Sequence, residues 1–191
     1  MSLADPYAGL HFSLRPVSLA LYPAGATFGP RTLKDYEFVW IVAGDVVWEC
    51  DGVLHPAPTG SLVLARPGMR DGFVWDPKRP TRHGFIHFSI LGRGPGLPAE
   101  ATWPLVRQLG DDDIIRPLLR HLAWLQSARP SGWERHAEVT FAQVLVAFIQ
   151  KRLPPGVAGM LIAAIFAAAM SSVDSAIHSL STATTVDFAR R

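Results

Sequence analysis

A single cysteine, Cys50, occurs in the 191 residues, so no disulfide can staple the chain and no Cys-rich metal site can form within it. That fits a reducing compartment, and a cytoplasmic location is expected. Charge is also scarce: Asp, Glu, Lys and Arg make up 18% of the chain, below the roughly 25% usual in soluble domains. The net charge of +2 comes with no cluster of Lys and Arg, so nucleic-acid binding by this chain is not expected. The stretch from Met1 to Gly9 carries Asp5 and lacks a positively charged apolar run, so it does not read as a secretory signal. The shortage of charge is uneven. All six Trp lie between Trp40 and Trp133, whereas Leu153 to Val173 has neither charge nor Trp. One domain with an appendage is the expectation at this length, the two parts shaped by different solvents or packing.

From Leu14 to Leu91, short β-branched and aromatic runs alternate with turn residues about every ten positions, the pattern of a sandwich or barrel. Pro23-Ala24-Gly25, Ala43-Gly44-Asp45, Asp51-Gly52, Pro67-Gly68 and Asp76-Pro77 supply the turns. Asp51-Gly52 is the strongest hairpin signal. After the Gly- and Pro-rich linker from Gly92 to Pro98 the period lengthens to between three and four. Ile114, Ile115, Leu118, Leu119, Leu122 and Leu125 stripe one helix, entered through the carboxylates of Asp111 to Asp113. Ser131 to Glu134 reads as a capping box, followed by Trp133, Ala137, Phe141, Val144, Leu145 and Phe148 on one helix face. Pro154-Pro155 is expected to end that helix. The run from Val157 to Met170 has no polar stripe; its 14 residues suit a buried helix, while Leu153 to Val173 is long enough to cross a bilayer.

Tyr36 to Val46, with Glu37 seven residues before Gly44, and Gly60 to Gly68 resemble the two core hairpins of a cupin. With the strand from His83 to Phe88 and two helices after it, residues 10–150 are similar to the N-terminal sensor domain of AraC-type transcription regulators. The resemblance implies a mainly β fold with C-terminal α structure: a cupin-like β-barrel (double-stranded β-helix) followed by two to three helices. The barrel is placed at residues 1–98 and a helical extension packed on it at 99–152.

Many cupins hold a metal through His residues and a Glu. Here Glu37 stands alone: Pro30 to Asp35 contains no His, and Asp71 occupies the place of a later one. One or two carboxylates without imidazole make a poor site, so no metal or other cofactor is expected, and Glu37 is expected to pair with an Arg. Period two places Asp71, Phe73 and Trp75 on one face of one strand and His83, Phe85 and His87 on one face of the next. The family's sugar-binding members contact ligand from positions matching Phe73, His83 and Phe85, so these seven residues, Glu37 included, form the candidate ligand site. The lesser alternative is that the rings only fill the barrel; Trp75→Ala is expected to weaken ligand binding without unfolding the barrel. Phe38 and Trp40 point away from Glu37, toward the two helices, which in the family also mediate dimerisation.

Pro155 to Met160 and Ala167 to Ser175, continuing to Arg191, resemble one transmembrane helix of the sodium:solute symporter family, over residues 153–191. In that family, positions matching Ala168, Ser171 and Ser172 help hold a sodium ion with ligands from another helix. One helix cannot supply the six or so oxygens a hard cation needs, so transport is not expected of this chain. No helix-turn-helix pair follows Gln150 either. The resulting expectation is a non-enzymatic sensor domain without its DNA-binding half. It binds a small polar ligand, with a sugar as candidate, and forms a homodimer through its helices. Two alternatives stay open: a membrane-associated symporter fragment carried on a cupin, with 157–173 in lipid, and a metal-dependent cupin enzyme. An apolar helix from about Val157 to Ser175 is expected to pack against other helices, because Gly156, Gly159, Ala163 and Ala167 permit close approach.

Overall fold

Turn chemistry cuts the first half of the chain into strands. Asp51 and Gly52 both take positive φ, 49° and 81°, giving a two-residue turn whose twist matches that of the strands it joins. The structure, a computed structural model, describes residues 9–93 and 97–150. Among these, the strands are β1 (His11–Leu14), β2 (Ser18–Tyr22), β3 (Thr27–Thr32), β4 (Tyr36–Ala43), β5 (Asp45–Cys50), β6 (Val53–Pro58), β7 (Ser61–Ala65), β8 (Arg70–Val74), β9 (Thr81–Gly92) and β10 (Val106–Gln108). A 3₁₀ turn (Glu100–Thr102) precedes β10, and the helices α1 (Ile115–Ala128) and α2 (Trp133–Ile149) follow it.

The strands form two antiparallel sheets. One runs β1-β9-β4-β7-β10, with β2 also paired to β9; the other runs β3-β8-β5-β6. From β3 to β9 the chain passes repeatedly from one sheet to the other, winding the double-stranded β-helix of a cupin-like barrel. β10 lies in the segment read as a helical extension, yet it pairs with β7 through Val106↔Val63 and extends the barrel sheet.

β4 is buried on both faces, which is why its sequence does not alternate cleanly. Val39 and Ile41 join the barrel interior with Val46, Trp48, Val63, Phe73 and Trp75. Phe38 joins a second core with Phe88, Ile115, Leu122, Phe141 and Phe148, where the helices cover the outer face of the first sheet. Each ring buried there contributes about 2 to 3 kcal/mol by area. Trp40 lies flat over Gly84, whose position has no room for a side chain: a Cβ there would sit 2.0 Å from the indole.

The helices keep their expected inner faces with local corrections. Ile115, Leu119, Leu122 and Leu125 are buried on α1, while Ile114 lies outside the helix and is exposed. Asp113 Oδ1 accepts from the Ile115 N–H at 3.0 Å, satisfying one of the open donors at the helix start. The capping box at Ser131 does not form: Gly132 is the N-cap, in the left-handed region at φ 73°, and no side chain caps α2. That shift by one residue moves the Ser131 hydroxyl off the capping position. α2 ends at Ile149, ahead of the prolines, and Arg107 of β10 donates both to its Ala147 carbonyl and to Asp113. The boundary between the chain's two compact units falls after Gln150, and the apolar helix expected from Val157 to Ser175 lies outside the described residues.

Candidate ligand pocket

Strand register brings the polar groups of the barrel together. Glu37 on β4 stands directly opposite His87 on β9, and Arg31 on β3 stands opposite Asp71 on β8. The Arg31 guanidinium donates through Nε to Asp71 Oδ1 at 3.0 Å and through Nη2 to Glu37 Oε2. Its plane also lies over the Phe28 ring, 4.8 Å from the centroid. Burial works against the Arg31 charge, but the facing Glu37 and Asp71 carboxylates outweigh it and raise its pKa. The other oxygen of Asp71 accepts from the buried Trp48 Nε1–H at 3.0 Å. Glu37 is thus the carboxylate paired to an Arg that its isolation among metal-binding positions implied.

His87 sits between two carboxylates: Nδ1 is 2.9 Å from Asp35 Oδ1 and Nε2 is 3.2 Å from Glu37 Oε1. The hydrogen bond to Glu37 raises the His87 pKa most strongly, with Asp35 adding to it against the effect of burial. His83, four residues back on the same face, is shifted the other way, because burial among rings disfavours its charged form. Two imidazoles on one strand face are therefore shifted in opposite directions by their surroundings.

The remaining wall is aromatic. Trp75 stacks on Phe73 at 4.8 Å, on His83 at 4.6 Å and on Tyr22 at 4.7 Å, with interplanar angles of 3°, 9° and 19°. Phe85 closes against His83 at 5.8 Å. These rings, with Arg31, Glu37 and His87, surround a cavity of about 190 Å³ inside the barrel. Trp75 Nε1 and His83 Nδ1 are buried there without a hydrogen-bond partner. Such groups are costly to leave unpaired in a protein interior.

Six of the seven sequence-derived candidates line this cavity: Glu37, Phe73, Trp75, His83, Phe85 and His87. Asp71 lies behind it, because both its oxygens are taken by Arg31 and Trp48; it orients the guanidinium rather than facing the cavity. Trp75 is only 1% exposed, at the centre of the ring stack, so its removal would damage the barrel as well as the pocket. Tyr22, Phe28 and Arg31 were not among the candidates. For Arg31 the signal was the unmatched carboxylate pair. For Tyr22 there was none, since β2 turns Leu19 and Leu21 outward at 70% exposure each and so inverts the usual pattern.

Glu37 and Asp71 together spend their four oxygens on Arg31, His87 and Trp48, so the cation they hold is a guanidinium. Among the described residues no group of three or more His, Cys, Asp or Glu is arranged to hold a metal ion. At about 190 Å³ the cavity falls below the roughly 300 Å³ at which drug-sized sites begin.

Fold and site together define a cupin-like β-barrel with a small aromatic-walled internal cavity and two helices on its outer face. Among solved structures the chain is similar to YhaK from Escherichia coli, with 21% identity and a TM-score of 0.43, covering 54% of this chain and 44% of that one. It is also similar to a Cupin 2 conserved barrel domain protein from Salinispora arenicola, with 20% identity and a TM-score of 0.35, over 41% of this chain and 74% of that one. ToxT from Vibrio cholerae, in a structure with bound unsaturated fatty acid, is similar at 12% identity and a TM-score of 0.48, over 73% of this chain and 55% of that one. The chain spans about half the length of YhaK and of ToxT. No curated protein matches it. The model of the sodium:solute symporter family matches residues 134–191. That match starts well before the symporter-like segment expected from residue 153, and takes in nearly all of α2.

Proposed function

We propose that residues 9–150 form a ligand-binding sensor module of the AraC regulator type, which takes a small hydroxylated ligand such as a sugar into the barrel and does not transform it. The observation that carries this reading is the pair of buried, unpartnered ring nitrogens, Trp75 Nε1 and His83 Nδ1, beside a cavity between stacked aromatic faces. A ligand hydroxyl can accept from the indole N–H and satisfy the imidazole nitrogen, while the rings cover its C–H surface. The reading as a binder rather than an enzyme is supported by the lining, which among the described residues has no Ser, Thr or Cys nucleophile and whose Glu37 is tied to Arg31 and His87.

The test is a panel of monosaccharides and polyols, followed by calorimetry and by the thermal unfolding midpoint. Trp75→Phe deletes the indole nitrogen and His83→Phe both imidazole nitrogens, each keeping an aromatic ring in the stack. A ligand that raises the midpoint of the wild type and binds each variant about tenfold more weakly supports the proposal. Absence of any such ligand, or binding unaffected by both variants, overturns it.

The symporter-family match supports a second reading, in which the part of the chain after Gln150 associates with membranes. Among the described residues no helix is long and apolar enough to cross a membrane, and the matched part of α2 packs in the core on the outer face of the first sheet through Phe141, Leu145 and Phe148. Flotation of the full chain with liposomes separates the readings: retention in the aqueous fraction removes the membrane one.

A further inference from the structure

A second cavity, larger than that of the barrel interior at about 390 Å³, lies outside the barrel between the first sheet and α1. Its volume falls within the roughly 300 to 1,000 Å³ of small-molecule sites. The floor is the Trp40 indole, held flat by the absence of a side chain at Gly84, and Leu119 and Ala123 of α1 line the opposite wall. Leu19, 70% exposed, stands at the same cavity, so apolar surface is left in contact with water there.

The charged part of this lining, among the described residues, is of one sign. Arg116 and Arg120, one helical turn apart on α1, both line the cavity, and among the described residues no carboxylate does. None of the ion pairs among the described residues involves either arginine. The nearby Asp113 is already committed to Arg107 at 2.6 Å. Arg116 donates one Nη2–H to the Leu109 carbonyl at 2.9 Å, which fixes the guanidinium, while its Nε is buried without a partner. A guanidinium held this way offers its remaining donors in a fixed fork suited to a carboxylate or sulfonate.

We propose that this groove is a second ligand site, for an anionic amphiphile whose apolar body lies on Trp40 and Leu119 and whose anionic group pairs with Arg116 and Arg120. Charge complementarity selects this occupant: a neutral apolar ligand would leave the two arginines unused, and a cation would be repelled. The site is separate from the barrel interior: among the described residues the two linings share none.

The experiment compares octanoate with octanol on the full chain by calorimetry, in wild type, in the double variant Arg116→Gln/Arg120→Gln, and in Ala123→Trp, which places a ring in the groove. Thermal unfolding midpoints establish that each variant is folded. Octanoate is expected to bind the wild type at least about tenfold more tightly than octanol, the worth of one charge-assisted hydrogen bond. The double variant removes that preference and leaves octanol binding unchanged; the Ala123→Trp variant weakens both ligands. Equal binding of octanoate and octanol by the wild type overturns the proposal, as does a preference for octanoate that survives the double variant or binding that survives the filled groove. If Ala123→Trp does not fold, Ala123→Leu gives the same reading at smaller volume. These outcomes do not depend on whether the barrel interior binds a sugar.

Discussion

Glu37 and Phe38 are neighbours on one strand, and they enter two cores of opposite character. Phe38 meets Phe88 at 5.4 Å, Phe141 at 6.0 Å and Phe148 at 5.0 Å, in a core of rings and aliphatic side chains under the helices. Glu37 enters the barrel interior, where Asp71 and His83 are also buried and a cavity remains. The first region converts burial into stability, since apolar rings in mutual contact leave no group unsatisfied. The second gives up close packing and holds buried charge through a network, an arrangement worth its cost where something is to be recognised. The period of two along β4 is what lets one strand serve both.

The largest way to sharpen this contrast is Phe141→Ala. Phe141 is fully buried against Phe12, Phe38 and Phe88, so its truncation is expected to cost about 3 to 5 kcal/mol in chemical denaturation. Ligand affinity of the still-folded fraction is expected to stay unchanged. Joint loss of affinity would mean that the two cores are coupled.

Next in size is Asp71→Ala. It strips Arg31 of one partner and leaves the Trp48 N–H unpaired, an expected loss of about 2 to 3 kcal/mol, read by the same denaturation. Unlike Phe141→Ala, it is expected to weaken barrel ligands too, because Arg31 loses its orientation. A variant that loses stability alone would place Arg31 outside recognition.

A smaller effect separates the two imidazoles by pH. His87 has its pKa raised above the ordinary 6.5 by Glu37 and Asp35, so its contribution is full below that value and is lost as pH rises through the raised pKa. His83 has its pKa lowered from 6.5 by burial, so the stability tied to its neutral form is present above 6.5 and is lost as pH falls through the lowered pKa. His87→Gln is expected to flatten the alkaline side of the unfolding midpoint against pH, and His83→Phe the acid side. An identical response from both variants would contradict the opposite pKa shifts of the pair.

The smallest expected effect is on the outer face of α1. Trp124 is 53% exposed and stacks on His121 at 5.6 Å. Trp124→Glu is expected to change stability by no more than about 0.5 kcal/mol, yet to dissociate the homodimer expected from the sequence if α1 forms its interface. Sedimentation velocity of the wild type and variant decides it; an unchanged sedimentation coefficient removes α1 from any interface.

Much of this architecture is legible from local chemistry. Asp51-Gly52 specifies its hairpin because φ is positive at both positions, and Phe73/Trp75 and His83/Phe85/His87 share cavity walls because side chains alternate along a strand. The helix stripes, Leu119 and Leu122 on α1 and Phe141 and Phe148 on α2, likewise follow from period alone. Other features depended on how strands meet. Arg31 and Asp71 are 40 residues apart and become partners only through the β3–β8 register, which shifts between Phe28 and Arg31. The inward turn of Tyr22 and the addition of β10 to β7 depend on pairing with β9 and β7, not on the residues of either short strand. A strand's own sequence determines which of its residues share a face. Which face is interior, and which charge stands opposite, is decided by the partner strand, whose register is set by turns and bulges elsewhere in the chain.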